Sequence, residues 1–293
     1  MKAIHSAFLM AAAFALLVIS VPVHGSNTDD GIESLARKTY VFKTYLKDDD
    51  IKIQSKDGAV TLTGTVAEEP NKILAQDTVA ALPGVKSVDN QLKLKDEPGA
   101  GSPDALVSAR VNLDLLSHRN LSAGKTDVQV KDGIVTLSGE AANQAQIDLT
   151  TEYIRDVEGV KDVKNDMTVS EANRTPAEKT MGEKAGDVGK KIGDTASSVS
   201  KKIGNTAGDV GKKIGNTAGD VGEWIDDASI TALVKATLLY HRSTSGLNTK
   251  VETTEGVVKL SGSAKNASEK ELATKFVEDV YGVKSVNNQM TIE

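Results

Sequence analysis

Residues 132–141 read DGIVTLSGEA, and nearly the same ten residues occur twice more in the chain. The other copies are DGAVTLTGTV at 57–66 and EGVVKLSGSA at 255–264. An Asp-Gly pair between runs of alternating apolar and polar residues is typical of a β-hairpin with a type I′ turn. The three copies therefore predict one small folded unit that is repeated three times, here called units 1, 2 and 3.

Glycine and asparagine recur at fixed distances around each hairpin. Intervals of 6 and 20 residues separate three glycines, and an asparagine follows 6 residues after the last one. These positions are Gly58, Gly64, Gly84 and Asn90; Gly133, Gly139, Gly159 and Asn165; and Gly256, Gly262, Gly282 and Asn288. We expect the middle glycine to lie where the second helix or a β-bulge leaves no room for a Cβ atom. The last glycine is predicted to be the C′ residue of a helix, and the asparagine to satisfy backbone groups at the end of the sheet.

Helical patterns flank each hairpin. Residues spaced by four place three side chains on one face of a first helix: Ile32, Ala36 and Tyr40; Val107, Val111 and Leu115; and Ile230, Val234 and Leu238. A second helix and an alternating closing strand follow the hairpin, and this crossover makes the sheet mixed. The predicted fold class is α+β, with three tandem α-β-β-α-β units. Each unit has a three-stranded mixed sheet with two helices on one face.

Composition shifts divide the chain into six segments. The predicted boundaries are 1–25 for a signal peptide, 28–96 for unit 1, 97–103 for a linker, 104–171 for unit 2, 172–225 for a second linker, and 226–293 for unit 3. The first segment has one basic residue, an apolar run and small residues around Gly25, which is typical of a cleavable secretory signal. A retained anchor is the alternative. We expect export to the periplasm of a bacterium.

The second linker has its own repeat, with a period of 11 residues. Alanine, valine and isoleucine recur at steps that would form one apolar stripe on a nearly straight helix. Nine glycines oppose that helix at roughly 1 kcal/mol each, so we expect it to form only on a surface. The residues predicted to contact an anionic membrane are Lys190, Lys191, Lys201, Lys202, Lys212, Lys213 and Trp224. The alternative is a spacer with a solvated charge pattern.

Several functional classes lack support in the sequence. The chain has no cysteine, which excludes thiolate chemistry and cysteine zinc sites. Its net charge is −6 and only 3% of its residues are aromatic, so nucleic-acid binding is not expected. Motifs for a zinc protease, a serine hydrolase nucleophile and a phosphate-binding loop are missing. We therefore predict no enzyme, no catalytic or metal-binding residue, no cofactor and no small-molecule substrate.

Two histidines occupy the same repeat position. His118 and His241 lie in units 2 and 3, each before an arginine, whereas unit 1 has Lys43 there. The lysine argues against a catalytic role shared by the three units. A cation near the C-terminal end of a helix is favoured by the helix dipole. A pH-sensitive contact is the other interpretation.

The helix, the Asp-Gly hairpin, the VTLSG strand and the G-V-x-x-V-x-N ending resemble the BON domain, a bacterial module of osmotically induced periplasmic proteins. This resemblance implies the α-β-β-α-β fold, an envelope location, no catalysis, and a role in binding phospholipid or protecting the envelope. Our first hypothesis is an envelope-stress protein that binds anionic phospholipid or envelope protein clients. The alternative is a holdase-like chaperone or a protein that protects against osmotic stress or desiccation.

Overall fold

The computed structural model describes residues 26–95, 101–121, 125–170, 225–244 and 248–293. The predicted signal peptide, nearly all of the second linker, and the lysines and tryptophan predicted to contact membrane lie outside the described residues. No helix in the described ranges is long and apolar enough to cross a membrane.

The predicted fold class is confirmed. Unit 1 contains α1 (Ser26–Lys38), α2 (Tyr40–Thr44), β1 (Asp50–Lys56), β2 (Ala59–Val66), α3 (Glu69–Ala80), β3 (Ser87–Asn90) and β4 (Lys93–Leu94). Unit 2 contains α4 (Pro103–Ser117), β5 (Thr126–Lys131), β6 (Ile134–Ala141), α5 (Gln144–Asp156) and β7 (Asp162–Val169). Unit 3 contains α6 (Asp227–Tyr240), β8 (Asn248–Thr254), β9 (Val257–Ala264), α7 (Ala267–Asp279), β10 (Ser285–Asn288) and β11 (Thr291–Ile292).

Each unit has one mixed sheet with the second hairpin strand at its centre. In unit 2, β6 pairs antiparallel with β5 and parallel with β7. Units 1 and 3 repeat this order, but their closing strand is split into β3 and β4 or β10 and β11, both parallel to the central strand. The mixed sheet thus follows from a hairpin joined by a helix to a parallel strand.

The hairpins turn as their sequence predicts. Both central residues of each turn have positive φ, for example 55° at Asp132 and 80° at Gly133. These values identify type I′ turns. Glu255 replaces aspartate in unit 3 and adopts the same conformation, with a φ of 52°.

The prediction for the middle glycines is wrong in its cause. A Cβ atom on Gly139 would lie 1.8 Å from the carbonyl oxygen of Lys125, at the start of the neighbouring strand, and the φ of Gly139 is 131°. Gly64 and Gly262 have the same surroundings. The paired strands keep continuous register there, without a bulge. The close neighbour is therefore the first hairpin strand and not the second helix.

The last glycines do not occupy C′ either. Helices α5 and α7 end at Asp156 and Asp279, and their C-caps Val157 and Val280 are extended and fully buried. The glycines come two residues after those caps, at positive φ. A Cβ atom on Gly159 would lie 2.7 Å from Cγ2 of Val107, so the glycine allows close packing of the turn on the first helix.

The first helix of unit 1 also departs from prediction. Thr39 interrupts it, because its hydroxyl accepts from the backbone N–H of Phe42 and starts the new helix α2. Val41 and Phe42 are consequently buried, whereas Tyr40 is half-buried. Ile32 and Ala36 are buried as expected.

The three units pack together through their helices. Helix α6 of unit 3 is buried on nearly all sides, and one apolar cluster joins its residues to those of unit 1 and to Leu113 of unit 2. At the start of α6, Asp226 and Ser229 accept hydrogen bonds from the backbone N–H groups of Tyr40 and Val41, at 2.8 and 3.0 Å. Units 1 and 3, each with a thin core, thus share one larger core, whereas unit 2 has an apolar cluster of its own that Phe276 of unit 3 joins.

Candidate functional site

The repeated asparagines join the closing strand to the second helix. The side-chain amide of Asn165 donates to the carbonyl oxygen of Ile147 at 3.2 Å, and its Oδ1 accepts from the N–H of Met167 at 3.0 Å. Asn90 and Asn288 make the equivalent bonds. All three side chains satisfy backbone groups beside the sheet, which is the structural role that their position predicts.

A repeated aspartate that the sequence analysis missed stabilises each hairpin turn. The carboxylate of Asp104 accepts from the N–H groups of Asp132 and Gly133, both at 2.8 Å. Asp29 and Asp227 hold the turns of units 1 and 3 in the same way. The signal was available, since each aspartate precedes the turn glycine by 29 residues.

Units 2 and 3 meet at the C-terminal ends of their helices, and the contact is reciprocal. His118, after the first helix of unit 2, forms a β-bridge with Val280, after the second helix of unit 3. His241, after the first helix of unit 3, forms the matching bridge with Val157, after the second helix of unit 2. Four backbone hydrogen bonds follow the same symmetry: Arg119 N to Asp279 O at 3.0 Å, Tyr281 N to Ser117 O at 2.9 Å, Arg242 N to Asp156 O at 2.8 Å, and Glu158 N to Tyr240 O at 2.7 Å. The two units thus contribute equivalent residues to the contact, with the first helix end of each unit bound to the second helix end of the other.

A buried carboxylate at this junction is shared by two imidazoles. Oδ1 of Asp114 lies 3.0 Å from Nδ1 of His118, just after its own helix, and 2.8 Å from Nε2 of His241 in the other unit. Both histidines are fully buried, and Asp114 is 5% exposed. Oδ2 of Asp114 and Nε2 of His118 have no hydrogen-bond partner.

Further carboxylates surround this group, which we call the junction cluster: Asp114, His118, Asp156, His241 and Asp279. Nδ1 of His241 lies 3.4 Å from Oδ2 of Asp156, within ion-pair distance but outside hydrogen-bond geometry. Ser243 of unit 3 also donates its hydroxyl to Asp156 at 2.8 Å. Asp279 accepts a hydrogen bond from Asn120 of unit 2.

Burial and charge act in opposite directions on these groups. Burial disfavours the charged form of His241, but the carboxylates of Asp114 and Asp156 raise its pKa to about 9. Burial also opposes ionisation of Asp114, yet the charges of His241 and His118 hold its pKa well below the usual value. For Asp279 burial prevails over His118 and Arg119, and its pKa is raised. At neutral pH, Asp114 is therefore ionised and His241 protonated.

Aromatic rings enclose the cluster. Tyr153 of unit 2 and Phe276 of unit 3 occupy equivalent repeat positions, and their ring centroids are 5.1 Å apart in an edge-on arrangement. The ring of His241 lies 4.2 Å from that of Phe276. These rings keep water from the charges and strengthen their interaction.

The arrangement suits a structural junction better than a reaction centre. Four of its five ionisable groups are buried and Asp156 is half-buried, so a substrate would have to separate the two units to reach the two imidazoles. In the part of the chain that the structure describes, no group of three or more histidine, aspartate or glutamate side chains is placed to hold a metal ion.

Unit 1 lacks the residues of this junction. Unit 1 has Lys43 in place of the two histidines and Ala81 in place of Asp156 and Asp279. It has Pro83 in place of Glu158 and Tyr281. Proline has no N–H to donate across the junction. Unit 1 therefore cannot form the reciprocal contact that units 2 and 3 make.

Comparison with known proteins identifies the repeated unit. The BON domain matches residues 28–96, 103–171 and 226–293, which together are more than half of the chain. The chain belongs to the BON domain family. The resemblance in the VTLSG strand and the G-V-x-x-V-x-N ending is thereby confirmed, and units 1 to 3 are BON domains.

Two curated relatives align with parts of this chain. The chain is 28% identical to Osmotically-inducible protein Y of Escherichia coli over 143 residues, which cover 47% of this chain and 71% of that protein. It is 30% identical over 117 residues to an uncharacterized protein in the gshII 5′ region of Anaplasma centrale, covering 39% and 77%. A solved structure of CdsD, a structural protein of the type III secretion system of Chlamydia trachomatis, aligns with 89% of this chain and 90% of its own at 17% identity and a TM-score of 0.21.

Proposed function

We propose that this protein is an exported, periplasmic protein of the osmotic-stress response that acts without catalysis, by binding phospholipid membrane or envelope components. The observation that carries the proposal is the array of three BON domains together with the similarity to Osmotically-inducible protein Y. The apolar, signal-like residues 1–25 support export.

The packing of the BON domains favours binding over chemistry. Their helices face one another, so the sheets turn their polar faces to solvent, as Lys52, Lys164 and Asn287 illustrate. Three such faces on one body could make weak contacts that reinforce each other. In contrast, most of the charged junction cluster is buried.

The second linker supports a membrane partner. The residues that flank it on both sides belong to the packed body, since β7 ends at Val169 and Asp226 bonds to unit 1. If the linker lysines and Trp224 bind anionic lipid, they hold the whole body at the membrane surface. In a chain of net charge −6, this linker carries nine basic and seven acidic residues, so its paired lysines would supply the attraction to anionic lipid.

Vesicle flotation of the mature protein tests the proposal. We expect flotation with vesicles of phosphatidylglycerol and phosphatidylcholine, loss of flotation as salt rises, and no flotation with phosphatidylcholine alone. Changing the six linker lysines to glutamine should abolish it. The matched control changes six exposed lysines of units 1 and 2 to glutamine, namely Lys47, Lys52, Lys56, Lys93, Lys131 and Lys164. Equal loss in both variants would contradict a linker-specific contact.

The same preparation distinguishes the alternative. Absence of flotation on every vesicle, combined with suppressed aggregation of an unfolding client protein, would favour a holdase-like role. Far-UV circular dichroism with and without anionic vesicles adds an independent measurement. Lipid binding predicts an increase in helix content that the six-lysine variant lacks.

A further inference from the structure

The junction cluster places buried charge at the centre of the contact between units 2 and 3. One imidazole from each unit lies within 3.0 Å of Oδ1 of Asp114, and Oδ2 of Asp114 has no hydrogen-bond partner. Among the described residues of unit 3, protonated His241 is the group that supplies positive charge to Asp114 across the junction. We propose that the junction is a latch, closed while His241 is protonated and opening as the pH rises.

The physical basis is the cost of an uncompensated buried charge. When His241 loses its proton, both carboxylates stay ionised, Asp114 as a buried anion and Asp156 as a half-buried one. Removing one partner of a buried pair is strongly unfavourable because the other charge stays without compensation. Separating the units restores water to both carboxylates, so deprotonation favours the open state.

Charged and titratable groups from every element packed at the junction surround the cluster that contains His241. They are Asp114 of α4, His118 and Arg119 after it, Tyr153 and Asp156 of α5, Asp279 of α7, and Arg242 beside His241 itself. The two arginines donate to carbonyl oxygens at the ends of the opposite second helices. Burial of Tyr153 raises its pKa, so the phenol stays neutral while His241 titrates.

The direction of the pH effect follows from linkage. The pKa of His241 is about 9 in the closed state against 6.5 for a solvated imidazole. Protonation of His241 therefore stabilises the closed state fully below pH 6.5, and this stabilisation is lost as the pH rises through about 9. In that interval the ratio of open to closed molecules rises by at most about tenfold per pH unit, because one proton is released.

Opening would leave the contact between units 1 and 3 intact, although Leu113 of unit 2 would leave the apolar cluster that they share. The contact of unit 1 with α6 is mainly apolar, and its cluster contains neither histidine. Opening the latch would expose Tyr153 and Phe276, which are 9% and 7% exposed when closed. The latch thus controls access to an apolar surface between BON domains, independently of whether the linker binds lipid.

Distance measurement by double electron–electron resonance on the full chain tests the latch. The chain has no cysteine, so spin labels at Lys164→Cys and Asn287→Cys report only the separation of units 2 and 3. We expect one narrow distribution at pH 6 and a growing longer-distance population between pH 7.5 and 9.5. A second labelled pair, Lys52→Cys with Asn287→Cys, reports units 1 and 3 and should not change.

Two substitutions assign the effect to the cluster. In His241→Gln, the distribution for units 2 and 3 should be the same at pH 6 and pH 9.5, with an open population already present at pH 6. Lys43→Gln changes the equivalent position of unit 1 and should retain the full pH response. If His241→Gln does not fold, the two labelled pairs without that substitution still test the latch, because only the distance between units 2 and 3 should change with pH.

Three results would overturn the proposal. The first is an unchanged distance between units 2 and 3 from pH 6 to pH 9.5. The second is a simultaneous change in both labelled pairs, which would mean general unfolding. The third is a full pH response in folded His241→Gln.

Discussion

Unit 3 binds its two neighbours in different ways. Against unit 1 it uses the side of helix α6, where Leu233 is completely buried in a shared apolar core. Against unit 2 it uses the ends of its helices, where reciprocal backbone bonds surround His241 and Asp114. The first interface resembles the interior of a domain, whereas the second depends on charge and on hydrogen-bond geometry.

The difference shows how one repeat can serve two kinds of contact. An apolar face gains stability from area and is almost insensitive to pH. A buried ion pair gains little net stability but becomes costly when either partner is lost. Unit 3 therefore has one interface suited to permanent assembly and one suited to regulation.

The largest expected effect comes from removing the shared carboxylate. Asp114→Ala leaves the charge of His241 without its main partner, so we expect the free energy of unfolding to fall by about 4 kcal/mol at neutral pH. Urea denaturation followed by circular dichroism measures it. Asp148→Ala, an exposed aspartate of α5, is the control and should change stability by under about 0.5 kcal/mol. Equal effects would mean that the buried pair has no special importance.

A cavity in the apolar interface should rank next. Leu233→Ala is expected to cost about 3 kcal/mol, because the side chain is fully buried. The same repeat position in unit 1 is Leu35, which is 45% exposed, so Leu35→Ala should be nearly neutral. Unlike Asp114→Ala, the loss in Leu233→Ala should be the same at pH 6 and pH 9. A pH-dependent loss would contradict the separation of the two interfaces.

Arg119 provides a smaller test of the junction between units 2 and 3. Its Nη2 donates to the carbonyl oxygens of Glu278, Val280 and Val283 at 2.8, 2.9 and 2.6 Å. Lysine keeps the charge but not the planar group of donors, so Arg119→Lys should cost about 1.5 kcal/mol. Exposed Arg37→Lys in α1 is the matched control for urea denaturation. A neutral Arg119→Lys would show that charge alone suffices.

The smallest effect is expected at the edge of the apolar interface. Lys235 of α6 lies 3.2 Å from Asp77 of α3, and its side chain is 35% exposed. Lys235→Gln should therefore reduce stability by under about 1 kcal/mol, and less at high salt. Thermal unfolding at low and high salt measures this difference. A loss as large as that of Asp114→Ala would mean that charge also dominates the interface with unit 1.

Much of each unit was predictable from the sequence because its determinants are local. Asp132 and Gly133 specify a turn through their own backbone preferences, and alternating residues specify which strand face is buried. The misassigned glycines were harder. Gly139 is required by a carbonyl oxygen of Lys125, 14 residues earlier, and spacing alone does not reveal which backbone approaches it.

The candidate site was predictable only in part. His118 and His241 were recognised as equivalent helix-end residues, and a pH-sensitive contact was one interpretation. Asp114 gave no signal, because the other units have Thr39 and Thr237 at its repeat position. Its role depends on a partner 127 residues away, in another unit.

The sequence by itself determined the three BON domains, their mixed sheets and their type I′ turns, because those features depend on short-range periodicity and backbone preference. Only the tertiary structure decided that α6 is a shared core helix and that units 2 and 3, but not unit 1, meet end to end. Burial of Leu233 and the pairing of Asp114 with His241 come from surfaces of separate units. Such pairing depends on shape and charge complementarity between distant residues, which periodicity within one repeat does not encode.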